Sequence, residues 1–236
     1  MRHFLLIPIL CAAALAGGRE GDEAAGEIAK ALGSKDVDAK MEAAKTAAGN
    51  QSSKLTTPLV KLLKDKDAGV RLAAIEALRV REAETEKKKA ARALGARIKP
   101  LESKEEDRDE VLKIVAALHD LAQPVALKPL LDMRSDTERD MARARARAAA
   151  NIPSKAVIDE LIKIGSSGRR GSKWRKGVAT DALRYATMEQ VKGGIEEWRR
   201  WWSDNKSKFN PDLAASLRAE KRSKDAEKKN RKKKKK

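Results

Sequence analysis

Side chains that could act as nucleophiles or soft metal ligands are nearly absent: one cysteine, Cys11, and two histidines, His3 and His119. Cys11 and His3 fall in an N-terminal run that reads as a removable leader, which leaves His119 alone. A cysteine/histidine zinc site, a thiol nucleophile and a disulfide framework are then excluded, and a Ser/His/Asp triad has only His119 to build on. Carboxylate pairs occur at Asp65/Asp67, Glu105/Glu106 and Glu196/Glu197. All sit in turns or on lysine-bearing faces, where nothing marks a buried acid/base dyad. The expectation is a non-enzymatic protein with no metal and no cofactor.

What remains is charge and a little aromatic surface. Lys and Arg number 53 against 35 Asp and Glu, a net charge of +18. Arg139, Arg143 and Arg147 recur at i, i+4 and i+8, a stripe along one helix face. Two readings fit: a fixed cationic ridge that takes carboxylates or phosphates bidentately, or a solvated face paired with Asp136, Glu138 and Asp140. The stretch 165–177 combines Gly and Ser with Arg169, Arg170, Lys173, Arg175, Lys176 and Trp174. A basic loop with an aromatic side chain can hold a polyanion by charge and stacking, but the stretch lacks a P-loop frame. It reads equally as a loop between helices, with Trp174 packed beneath it. Ile195, Trp198, Trp201 and Trp202 crowd a helix expected over 188–208, with Phe209 just beyond. Again two readings fit: a cap on the last repeat, with Trp198 and Trp202 at i and i+4 packed inward and Trp201 the most exposed and a candidate partner contact, or an aromatic platform for a ligand or partner.

These candidates need elements to carry them. Hydrophobic residues make up 41%, charged residues 37% and aromatics only 3%, with Ala, Lys and Leu dominant. That balance argues against sheets and for an all-α chain. In 57–80, Thr57 is expected to cap and Pro58 to open a helix whose apolar face is Leu59, Leu62 and Leu63. After the turn 64–69, Val70, Ala74, Ala77 and Leu78 keep helical spacing. Two short helices joined this tightly form a hairpin that cannot bury its apolar faces alone. The pattern recurs behind anchors at Leu32, Leu63, Leu101, Leu131 and Ile164, spaced 31, 38, 30 and 33 residues. Such a period of paired helices predicts an α-solenoid of about five pairs.

The run Asp67-x-x-Val70-Arg71-x-x-Ala74-x-x-Ala77-Leu78 resembles the turn and second helix of a HEAT repeat, of the short HEAT-like type. The resemblance extends over about 23–186 with drift: Met41 stands where an Arg is wanted, and 105–107 is an acidic turn. It implies structural roles for Asp67, Val70 and Arg71, and an adaptor surface whose concave side is lined by the second helices. It implies no reaction. Alkylpurine DNA glycosylases are HEAT-like arrays too, and the chain is similar to them only in fold type and charge.

Local punctuation adds helix starts at Ser135-x-x-Glu138, Thr187-x-x-Gln190 and Asn210-Pro211. Pro129 is expected to break or delay the helix that contains it, and 81–100 to lengthen one repeat.

The two ends differ from the middle. Residues 1–16 read as a cleaved export signal: Arg2 and His3, an apolar run from Phe4, then Ala14-Leu15-Ala16 before Gly17. Residues 218–236 hold 12 Lys and Arg against 3 Asp and Glu and are expected to be disordered. The plan is therefore a leader at 1–16, HEAT-like repeats at 17–186, capping helices at 187–217 and a Lys-rich tail at 218–236. The expected function is an exported scaffold, periplasmic or secreted, that binds another protein. The alternative is a polyanion binder acting through the tail and the 165–177 loop. For the tail an anionic polymer or membrane surface is favoured over nucleic acid, and no later segment is apolar enough to span a membrane.

Overall fold

The computed structural model describes residues 19–102, 105–133, 138–167 and 172–233. The expected leader at 1–16, Gly17, Ser135, Arg169 and Arg170 lie outside the described residues, as do the side chains of Lys173 and Trp174. Every described regular element is helical, with twelve α-helices, three short 3₁₀ turns and no strand among the described residues. The chain is all-α. It divides into two compact units, one up to Ala77 and one from Leu78.

The first unit holds α1 (Arg19–Leu32), α2 (Val37–Ala48), α3 (Thr56–Leu62) and most of α4 (Ala68–Arg79). Asp36 starts α2 by accepting from the Asp38 and Ala39 amides at 2.9 and 3.4 Å, as a good N-cap does. Thr57 does not cap α3. A 3₁₀ turn at Ser53–Leu55 leads directly into Thr56, so Thr57 and Pro58 both lie inside the first turn, where proline needs no amide partner. Asp67 accepts from the Val70 amide at 3.0 Å at the start of α4. The Arg71 guanidinium donates to the carbonyls of Asp65 and Lys66, both at 3.1 Å, closing the turn between α3 and α4. Val70, Ala74, Ala77 and Leu78 are buried. Lys40 of α2 reaches that turn from outside and holds Asp65 at 2.6 Å.

In the second unit, helices come in consecutive pairs. α5 (Glu84–Leu101) packs on α6 (Arg108–Leu121), α7 (Leu127–Leu131) on α8 (Arg139–Ala150), and α9 (Lys155–Ser166) on α10 (Ser172–Thr187). The first members touch in series, α5 on α7 on α9, and so do the second members, α6 on α8 on α10. The stretch 81–100 falls largely within α5, which forms a pair with α6. Pro129 leaves α7 a short helix behind a 3₁₀ turn at Pro124–Ala126. Gly95 admits it: a Cβ there would lie 2.7 Å from the Pro129 ring.

Two helices complete the unit. α11 (Ile195–Asn205) packs on α9 and α10, and α12 (Pro211–Lys233) packs on α10. α11 does not start at Thr187-x-x-Gln190, because α10 runs to Thr187 and Met188 turns out of it with φ 63°. The working cap is Gly194, whose amide donates to the Glu197 carboxylate at 2.8 Å. Asn210 caps α12 by accepting from the Asp212 and Leu213 amides. Where the sequence suggests disorder from 218, α12 continues as helix to Lys233, with exposed side chains from 219 to 228. Ala, Glu, Lys and Arg are strong helix formers, and Glu220 pairs with Lys224 one turn on.

Candidate functional site

The arginine stripe lies on α8, and its three members differ. Arg139 is exposed, and Arg143 is exposed beside Asp140 at 3.7 Å. Arg147 lies against the ring of Tyr185 from α10, its guanidinium carbon 3.1 Å from the ring centre. Arg218 of α12 approaches the same ring at 5.4 Å. These groups line a cleft of about 250 Å³ with Asp181, Arg184, Met188, Gln190, Lys221, Arg222 and Asp225. Partial desolvation, and then the charges of Arg222 and Arg147, pull the Arg218 guanidinium below its ordinary value. Arg147 is shifted the same way by desolvation and by Arg222, against the opposing pull of Tyr185. The cleft therefore gathers cations that disfavour one another.

Asn151, the residue that closes α8, ties this region together. Its amide donates to the His119 carbonyl at 2.8 Å, and its side-chain oxygen accepts from the Tyr185 hydroxyl at 3.1 Å. Arg218, only 2% exposed, donates to the Ala186 carbonyl and to the Asn151 carbonyl. One guanidinium thus caps the C-terminal ends of both α8 and α10, where exposed carbonyls and the helix dipole favour a cation.

Arg145 is the residue that the stripe hid. Sitting between Arg143 and Arg147, it is fully buried. Its Nε donates to the Leu130 carbonyl at 2.9 Å, and one Nη donates to the carbonyls of Pro129 and Asp132 at 2.7 and 3.2 Å. It also contacts the Glu102 carboxylate. Burial lowers its pKa to about 10, so it stays charged at neutral pH. The signal was present: two residues along a helix is about 200° of rotation, which puts Arg145 on the face of Ala142, Ala146 and Ala149.

Above Arg145 and Glu102 opens a cavity of about 480 Å³ lined by α5, α7 and the residues around them. A broader groove of about 750 Å³ runs between the α7 region and α9, with Arg175 at its edge. Of the cations named in the 165–177 stretch, Arg175 and Lys176 have described side chains, Arg175 half-buried and Lys176 exposed.

The tryptophans pack in the order their spacing predicts. Trp198 and Trp202 are buried, and Trp201 is half-buried. Trp202 donates from its indole nitrogen to Asp159 of α9 at 2.8 Å, and Lys206 holds the same carboxylate at 2.9 Å. Burial pushes the Asp159 carboxyl up, but the bonds from Lys206 and Trp202 prevail and hold it below the usual carboxylate range. Trp201 stacks on Trp202, with centres 6.2 Å apart, and meets Trp198 and Phe209 edge-on. Gly165 lets Ile195 close on α9, where a Cβ would sit 2.6 Å from the Ile195 side chain.

His119 lies beside Asp120 at 2.8 Å, and Asp120 also holds Arg79. Among the described residues, no group of three or more His, Cys, Asp or Glu is placed to hold a metal. No described helix is long and apolar enough to cross a membrane. The chain matches no known protein family, and no curated protein is similar to it.

Proposed function

We propose that the chain is an exported, non-enzymatic α-solenoid of HEAT-like helix pairs that binds another protein. In this reading α11 and α12 close the series, with Trp198 and Trp202 covering the last pair. The observation that carries it is the serial packing of the second unit, first helices on first and second helices on second. Such an array exposes one continuous row of helices as a binding surface. Arg139 and Arg143, exposed on the second-helix row, give that surface a cationic character suited to an acidic partner.

The test is a pull-down from extracytoplasmic fractions using three forms: the full chain, a chain ending at Arg218, and the Arg139→Glu/Arg143→Glu variant. A partner kept by the first two and lost by the third supports the scaffold. If ending at Arg218 abolishes all capture and the charge reversal changes nothing, the scaffold reading fails and polyanion attachment through α12 replaces it. The run of exposed cations on α12 is what favours that second reading. Export is tested separately, by fusing residues 1–20 to a reporter active only outside the cytoplasm.

A further inference from the structure

We propose that the cleft between the C-terminal ends of α8 and α10 and the flank of α12 is a binding site for a phosphate-class oxyanion, free or as a terminal phosphoryl group. Its lining holds five cations, Arg147, Arg184, Arg218, Lys221 and Arg222, against two carboxylates, Asp181 and Asp225. Arg184 and Asp181 already satisfy each other at 3.2 Å. Arg218 is committed to backbone carbonyls, so Arg147, Lys221 and Arg222 are left with Asp225 alone, a local excess of two charges that matches a doubly charged anion.

The site is built rather than incidental. Arg218 is pinned: each of its two Nη groups donates to one carbonyl, of Ala186 and of Asn151, and its buried Nε has no hydrogen-bond partner. The Tyr185 hydroxyl is committed to Asn151, which fixes the ring against which Arg147 lies. Two helix C-termini point their negative ends toward this region, which by itself opposes an anion. Arg218 sets its cation against one carbonyl at each end, which offsets part of that field, and Arg147, Lys221 and Arg222 remain to meet the ligand. A cleft of about 250 Å³ falls below the ~300–1,000 Å³ of pockets for larger ligands and fits one phosphate with its waters. Guanidinium groups supply the paired donors that phosphate oxygens accept.

The chain contains a single tyrosine, Tyr185, so a tyrosine-labelled protein gives one set of ring NMR signals that reports on this cleft alone. The full chain is titrated with inorganic phosphate, tripolyphosphate, an oligo-glutamate peptide, and sodium chloride at matched ionic strength. The expected result is a saturable shift of the Tyr185 signals with phosphate and none with chloride. The Lys221→Gln/Arg222→Gln variant, whose replaced side chains are exposed, should weaken binding by about tenfold or more with an unchanged circular dichroism spectrum. Tighter binding of tripolyphosphate supports the site and assigns a phosphorylated chain as the source; equal binding supports it and assigns the free ion. No saturable shift, an equal shift in chloride, an unaffected variant, or saturation by oligo-glutamate without phosphate overturns the proposal. None of these outcomes bears on the pull-down, so this site and the scaffold reading fail separately.

Discussion

Replacing Arg145 with methionine keeps most of the side-chain length and removes the charge. In the fold that charge meets three carbonyls, at Leu130, Pro129 and Asp132, and the carboxylate of Glu102, whose side chain is only 9% exposed. Breaking a buried ion pair from one side costs about 3–5 kcal/mol, because the surviving charge stays buried without compensation. Hydrogen bonds to a charged group contribute about 1.5–3 kcal/mol each, but they share one guanidinium and do not add. The cavity above the pair lets water reach some of the abandoned groups, which holds the loss near the lower figure. We therefore expect Arg145→Met to lose about 3 kcal/mol in urea unfolding followed by far-UV circular dichroism. Arg143→Met, two positions earlier on the exposed face, should lose less than about 0.5 kcal/mol. A Glu102→Leu/Arg145→Met double variant should recover part of the loss, since it removes the orphaned carboxylate. If Arg145→Met matches Arg143→Met, the buried clamp is not a stabilising element. If the double variant is no better than the single, the stranded Glu102 is not the cause.

Three further outcomes are expected. Trp198→Ala should cost about 3–5 kcal/mol, the range for deleting a large buried aromatic, and Trp201→Ala clearly less; equal losses in chemical denaturation would contradict the inward and outward assignment. Ending the chain after Arg218 should leave the melting temperature nearly unchanged, whereas ending it after Leu217 should lower it, because the guanidinium capping α8 and α10 is then lost. Asp65 is held below its ordinary carboxyl value of 3.8, first by the hydrogen bond from Lys40 and then by the Asp67 amide. A depressed folded-state value stabilises the fold above the ordinary value and is lost as pH falls through the depressed one. Acid unfolding of Lys40→Met should therefore show a shallower pH dependence below about pH 4, and an unchanged acid profile would exclude the pair as a contributor.

The helix pairs were legible because apolar spacing survives in a chain otherwise made of alanine and charge. Leu59, Leu62, Val70, Ala74 and Leu78 announce two helices and the turn between them, and Asp67 announces the cap. The inward set of tryptophans followed from the same period. Start points were less legible, since Thr57 and Thr187 carry the right chemistry at positions already inside a helix. The cap that starts α11 is a glycine with a glutamate three residues on, a weaker signal than Ser or Thr. Arg145 escaped because an alternating Arg-Ala run looks uniformly solvated until each residue is placed at its own angle. The cleft around Tyr185 joins residues 147, 185 and 218–225, and no local spacing relates three segments that far apart. The helical continuation of α12 escaped because the composition that prevents a packed core also favours an isolated helix.

Arg145 and Arg218 are cations that the molecule has withdrawn from its own surface, and this separates two responses to salt. Their contacts with carbonyls are buried, where mobile ions screen little. Among the described residues most of the other positive charges are exposed, Arg81 being a buried exception, and their mutual repulsion works against the compact state until counter-ions weaken it. Added salt should then tighten the fold while loosening whatever anionic surface or ligand the exterior attracts. A rise in ionic strength would free such a protein from its partner without unfolding it, so release and recovery could be cycled on the same molecules.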